Sequence, residues 1–169
     1  MIMRKVTKLL AVSGAAICLG AVPGFADQDH CRHIGGGILT NFLDPSQCLP
    51  TSGSSVALCT DGPATGDLRG AVGVQVLAVN GNVFHNRHHW VTDSGDTIFF
   101  KDAYLTTFPT SDPNRVLADY LSGIETIGGT GAFEGATGTV FAFGAADLKL
   151  GQITLRYAGT VCFEPVTPP

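Results

Sequence analysis

From Val56 to Phe163 the chain is a succession of short β-rich runs, each closed by a turn signal. No stretch between them has the roughly 10–15-residue helical pattern of a βαβ crossover, so bundles and parallel α/β folds are disfavoured. The runs are Val56–Thr60, Asp67–Val79, Asn82–Thr92, Asp96–Phe108, Val116–Ile127, Thr139–Ala146 and Lys149–Phe163. Asn80-Gly81 is a hairpin dipeptide that favours positive φ, and Ser94-Gly95 and Asp112-Pro113-Asn114 mark further turns. In the last run Ile153, Leu155, Tyr157, Val161 and Phe163 share one face with Gly159, while Gln152, Thr154, Arg156 and Thr160 share the other. In Thr139–Ala146, Thr139, Phe141 and Phe143 oppose Val140 and Ala142. Such alternation predicts antiparallel sheets with one apolar face, arranged as a sandwich or a barrel. A closed barrel also removes exposed edges.

The segments before Val56 read differently. Met1–Lys8 carries Arg4, Lys5 and Lys8 without an acid, and Leu9–Val22 is apolar. Gly24-Phe25-Ala26 then offers small residues for cleavage after Ala26, so residues 1–26 read as a secretory signal. The apolar run is shorter than the roughly 20 residues a membrane helix needs. After cleavage no stretch is long enough to span a bilayer. Residues 27–55 are rich in Gly, Pro, Ser and Asp and read as an irregular arm, residues 56–163 as the barrel domain, and 164–169 as a tail. The exported chain holds seven Lys/Arg against fourteen Asp/Glu, a net charge of −7 with His neutral. That balance repels a phosphate backbone and argues against nucleic acid as a partner. The expected location is periplasmic or extracellular.

Cys18 leaves with the signal, and Cys31, Cys48, Cys59 and Cys162 remain. An even count in an exported chain points to two disulfides, with three pairings open. Cys31–Cys48 would close the arm, and Cys59–Cys162 would join the first core strand to the last. That is the pairing expected from the closed sheet.

Residues 127–138 (Ile-Gly-Gly-Thr-Gly-Ala-Phe-Glu-Gly-Ala-Thr-Gly) have neither the Gly-Lys-Ser/Thr ending of a P-loop nor the third glycine of a dinucleotide fingerprint. They read as a tight strand–turn–strand connection with Phe133 plugging the end of the core. Followed by an alternating strand and a final Tyr157-Ala158-Gly159 strand, this box resembles the allene oxide cyclase-like and dirigent-like barrel group, which includes secreted bacterial proteins of unknown role. The resemblance implies an eight-stranded antiparallel calycin-like barrel with an apolar cavity. Members with known roles bind hydrophobic small molecules and steer cyclisation or radical coupling by shape, usually without a cofactor. Several are oligomers, which leaves a homo-oligomer open here. No catalytic motif of a named member is matched, so no catalytic residue carries over.

Candidate chemistry is therefore read from the residues. Asp102 and Tyr104 share a face with Ile98 and Phe100 if Asp96–Phe108 is one strand, and Glu125 shares a face with Leu121 and Ile127. A carboxylate or phenol on an apolar face could act as an acid, a base or an anchor. Phe100, Tyr104, Phe141 and Phe143 are the expected ligand-lining residues. His85, His88 and His89 invite a metal. On a strand, however, His85 and His89 stand about 13 Å apart and His88 faces the other way. No metal and no cofactor are expected. Two functions compete. One is a secreted barrel binding a hydrophobic small molecule in its lumen, with or without cyclase-like turnover. The other is a structural or interaction protein of the cell envelope, with a filled barrel and no catalytic activity.

Overall fold

The computed structural model describes residues 30–48 and 58–163. The signal segment, the cleavage after Ala26 and the tail lie outside the described residues. Ten strands follow one another: β1 (Cys31–Phe42), β2 (Cys59–Ala64), β3 (Gly70–Asn80), β4 (Val83–Thr92), β5 (Thr97–Phe100), β6 (Ala103–Pro109), β7 (Arg115–Asp119), β8 (Ile124–Gly129), β9 (Thr137–Asp147) and β10 (Gln152–Cys162). All their pairings are antiparallel. β5 and β6 pair with opposite halves of β4, and β7 and β8 with opposite halves of β9. The ten strands thus occupy eight positions of a closed barrel, with β10 returning to β1.

The expected eight-stranded barrel is present, but the arm is not irregular throughout. Cys31–Phe42 is a full strand whose register on β10 runs from Cys31↔Cys162 to Asn41↔Gln152. Its Gly35-Gly36-Gly37 triplet hides any alternation in the sequence. The strand forms because β10 offers its unpaired backbone groups, which would be costly to leave unsatisfied. Gly36 is required there, since a Cβ would run into the Thr65 carbonyl and the Tyr157 ring. At the β3–β4 hairpin Gly81 takes φ 61°, as the Asn-Gly dipeptide predicts.

The cysteine pairing is a correction. The bridges are Cys31–Cys162 and Cys48–Cys59, not Cys31–Cys48 and Cys59–Cys162. The same four residues pair, but strand β1 sets Cys31 directly opposite Cys162 in the ladder. Cys48, left behind after a one-turn 3₁₀ segment (Pro45–Gln47), reaches Cys59 at the start of β2.

One end of the barrel is closed by side chains. Trp90, Phe133, Ile98, Val161 and Leu68 are buried there together with Tyr157. The loop between β2 and β3 folds over this end and is pinned by two ring groups. Trp90 Nε1 donates to the Leu68 carbonyl at 2.8 Å. The Tyr157 hydroxyl accepts from Leu68 N–H at 2.8 Å and donates to the Thr65 carbonyl at 2.9 Å. Burial pushes the Tyr157 phenol pKa above its ordinary value, so the hydroxyl stays a donor. Tyr157→Phe leaves the buried Leu68 N–H without its acceptor. We expect a loss of about 1–3 kcal/mol, read as a lower urea midpoint with an unchanged slope. An unchanged midpoint would show that the latch carries no stability.

Candidate functional site

Toward the other end the barrel is hollow. A cavity of about 290 Å³ lies inside the sheet, lined by side chains from every barrel position. That size is near the lower limit of small-molecule sites. Its outer rim is formed by the half-exposed Phe42, Leu58, Phe84, Val116 and Ile153 and the exposed Leu148. Its floor is Trp90, Phe100, Ile124, Val140 and Leu155, all buried. The space exists because small residues face inward on β7 and β9: Ala118, Ala142 and Ala146. Among the lining residues none is Asp, Glu, Lys or Arg.

Three threonines (Thr40, Thr60 and Thr107) dot this wall, and three larger polar side chains meet on it at one place. Asn86 and His88 project inward from β4, between Phe84 and Trp90 on the same face. Tyr120 projects inward just past β7. They are 2%, 8% and 3% exposed. Asn86 Nδ2 donates to the Tyr120 hydroxyl at 2.9 Å, and His88 Nε2 lies 2.8 Å from the same oxygen. The protons follow from counting donors. The phenol oxygen accepts from Asn86, so its own proton goes to His88 Nε2, and the imidazole proton sits on Nδ1. The opposite tautomer would aim two N–H groups at one oxygen and leave the phenol proton without an acceptor among the described residues. Asn86 Oδ1 and His88 Nδ1 have no partner among the described residues. The cluster therefore holds one free acceptor and one free donor, each within a side chain's width of the Tyr120 hydroxyl.

The same burial fixes the charge state. Desolvation pushes the His88 imidazole down to about 4, against a smaller opposing pull from Asp102. Desolvation also raises the Tyr120 phenol well above its ordinary value. Both groups are neutral across the physiological range, which suits hydrogen bonding and makes them poor proton shuttles at neutral pH. The histidine also gives a pH signature. Its folded-state pKa lies below its unfolded value of 6.5, so the unfolded chain binds more protons between the two. Stability is then fully present above about pH 6.5 and is lost as pH falls toward 4. The loss amounts to about 3 kcal/mol. His88→Phe should flatten that window in urea titrations between pH 7 and 4.5; an equally steep variant would refute the assignment.

The residues expected to carry the site are placed otherwise. Phe100 lines the cavity floor. Tyr104, Phe141 and Phe143 do not: they are 59%, 48% and 55% exposed on the outer face. For Tyr104 and Asp102 the cause is a break in the strand. β5 ends at Phe100 and β6 begins at Ala103, so the inward parity passes from Ile98 and Phe100 to Ala103 and Leu105. Asp102 instead takes a two-pronged ion pair with Arg87, at 2.9 and 2.7 Å. Hydrogen bonding from that guanidinium holds the Asp102 carboxyl below its ordinary value. Tyr104 stacks on His85, ring centres 4.7 Å apart. Glu125 lies on the outer face of β8 and pairs with Lys101 at 2.7 Å. None of Asp102, Tyr104 and Glu125 thus lines the lumen. On β9 the inward residues are Val140, Ala142 and Ala146, which sends the phenylalanines outward.

Tyr120 was not legible as a site residue. Asn86 and His88 could have been found, because Phe84 and Trp90 mark their face of β4 as the inner one.

No family model matches the chain, and no curated protein matches it. Among solved structures the chain is similar to the pterocarpan synthase dirigent protein GePTS1. The identity is 11%, the match covers 82% of this chain and 88% of that one, and the TM-score is 0.35. The barrel itself rests on the strand register given above.

Proposed function

We propose that this protein binds a hydrophobic small molecule in the barrel lumen. The supporting observation is a hollow, uncharged interior lined in part by a buried Asn86–Tyr120–His88 cluster with two unpaired polar atoms. A barrel built only for rigidity would gain packing energy by filling that space. Turnover is not part of the proposal, because the two titratable lumen groups are held neutral. No cofactor is proposed, and no nucleic acid partner. Export of the chain is proposed on the signal-like first 26 residues and suits its two disulfides. Among the described residues no helix is long and apolar enough to cross a membrane.

The outer face keeps a second reading in view. Leu121, Ile127, Phe141 and Phe143 are exposed, as an interaction protein would have them. A neutral lipophilic dye, N-phenyl-1-naphthylamine, separates the two. We expect the protein to enhance its fluorescence saturably, and Ala142→Phe, which fills the lumen, to abolish the enhancement while the protein stays folded. Enhancement that survives Ala142→Phe places the dye on the outer face and sinks the lumen reading. No enhancement at all does the same.

A further inference from the structure

The lumen has a direction, which bears on the class of ligand it takes. Its rim is apolar, its walls are apolar except for the hydroxyls of Thr40, Thr60 and Thr107, and its one polar cluster is Asn86, Tyr120 and His88, all buried. Each of these side chains is anchored by the others, so none can swing out to meet a ligand at the rim. Within the cluster the two atoms left over are unlike, an amide oxygen that can only accept and an imidazole N–H that donates, and the Thr60 hydroxyl on β2 is a third lining group without a partner among the described residues. Among the described residues no cation faces the lumen to neutralise an anion, and no carboxylate faces it to neutralise a cation. An ionised head would be stripped of water beside neutral partners only, which is far costlier than burying a neutral one.

Resting on the lumen-binding reading, we infer that the ligand is a neutral lipophilic alcohol or phenol, bound with its hydroxyl inward against Asn86 and His88 and its apolar body toward the rim. A hydroxyl is the smallest head that both donates to Asn86 Oδ1 and accepts from His88 Nδ1. A carboxylate can accept but cannot donate. A bare hydrocarbon leaves both protein atoms as they were. The rim offers the contrary arrangement, since Lys149 follows the lining residue Leu148 and is exposed. An amphiphile bound tail-first would keep its anionic head there.

Three ligands of one shape decide between these arrangements: naphthalene, 2-naphthol and 2-naphthoate, each displacing N-phenyl-1-naphthylamine from the full exported chain at pH 7. We expect 2-naphthol to bind about tenfold more tightly than naphthalene, and 2-naphthoate to bind at least tenfold more weakly than 2-naphthol. Asn86→Leu keeps the branched side-chain shape and removes the acceptor. It should shrink the naphthol-to-naphthalene ratio about fivefold or more with little change for naphthalene. Should Asn86→Leu fail to fold, as Trp90 fluorescence would reveal, the three-ligand order on the unaltered protein still decides. Equal affinity for 2-naphthoate and 2-naphthol overturns the inference and places the head at the rim, and so does a naphthol-to-naphthalene ratio near one. Either result leaves lumen binding standing, because that reading is decided separately by the loss of dye enhancement in Ala142→Phe. A protein that takes up no dye loses both readings together.

Discussion

Replacing Cys31 and Cys162 by serine is expected to cost about 5 kcal/mol, and replacing Cys48 and Cys59 about 3 kcal/mol. The difference comes from the loops that the bridges close. The first spans 131 residues of sequence and the second only 11. In the chain-entropy view a cross-link stabilises by removing conformations from the unfolded chain, and the longer loop removes more. Position reinforces the ranking. Cys31–Cys162 sits at one end of the β1–β10 ladder that closes the barrel. Without it, β1 can fray from the end that also carries Phe163, Phe133 and the side-chain plug. Losing about 5 kcal/mol should lower Tm by ~10 °C or more. The readout is built in, because Trp90 is the chain's one tryptophan and lies in that plug. If the two double variants melt together, loop length does not govern the bridges, and the short bridge must hold native structure at the rim.

Trp90→Ala is expected to cost about 3–5 kcal/mol, the largest single-site loss in the barrel. The indole is 3% exposed and stands edge-on to Tyr157, ring centres 5.3 Å apart. It also packs at 6.1 Å from Phe100 on the lumen floor. Truncation forfeits its buried area, opens a void and leaves the buried Leu68 carbonyl without its donor. Trp90→Phe keeps most of the packing and loses the hydrogen bond, so it should cost about half as much. Because Trp90 divides the plug from the lumen, the alanine variant should accept larger ligands than the parent. Calorimetry gives the stability, and a size series of polycyclic hydrocarbons gives the ligand range. A small loss for alanine, or an unchanged size limit, would show that the plug does not depend on the indole.

Local chemistry determined which elements form. Asn80-Gly81 places a hairpin wherever the flanking runs pair, since its preference for positive φ does not depend on the partner strand. The alternation of β9 and β10 was equally legible, because a two-residue period is a property of the strand alone. An even set of four cysteines after residue 26 pointed to two bridges, and two form. Which face of each strand turns inward is another matter. On β9 the sequence offers Phe141 and Phe143 against Val140 and Ala142, and a hydrophobicity count favours burying the aromatics. The closed sheet buries the small residues instead, and a cavity remains. The break at Lys101-Asp102 shifts parity by one, which removes Asp102 and Tyr104 from the interior. β1 forms because β10 has an open ladder beside it, and that ladder in turn sets Cys31 opposite Cys162. The sequence by itself determined the alternating runs, the turns and the bridging cysteines, which depend on neighbours along the chain. Only the closed barrel decided the lumen, its Asn86–Tyr120–His88 cluster and the cysteine pairing, because each is a relation between residues that meet only when the ring of strands is complete.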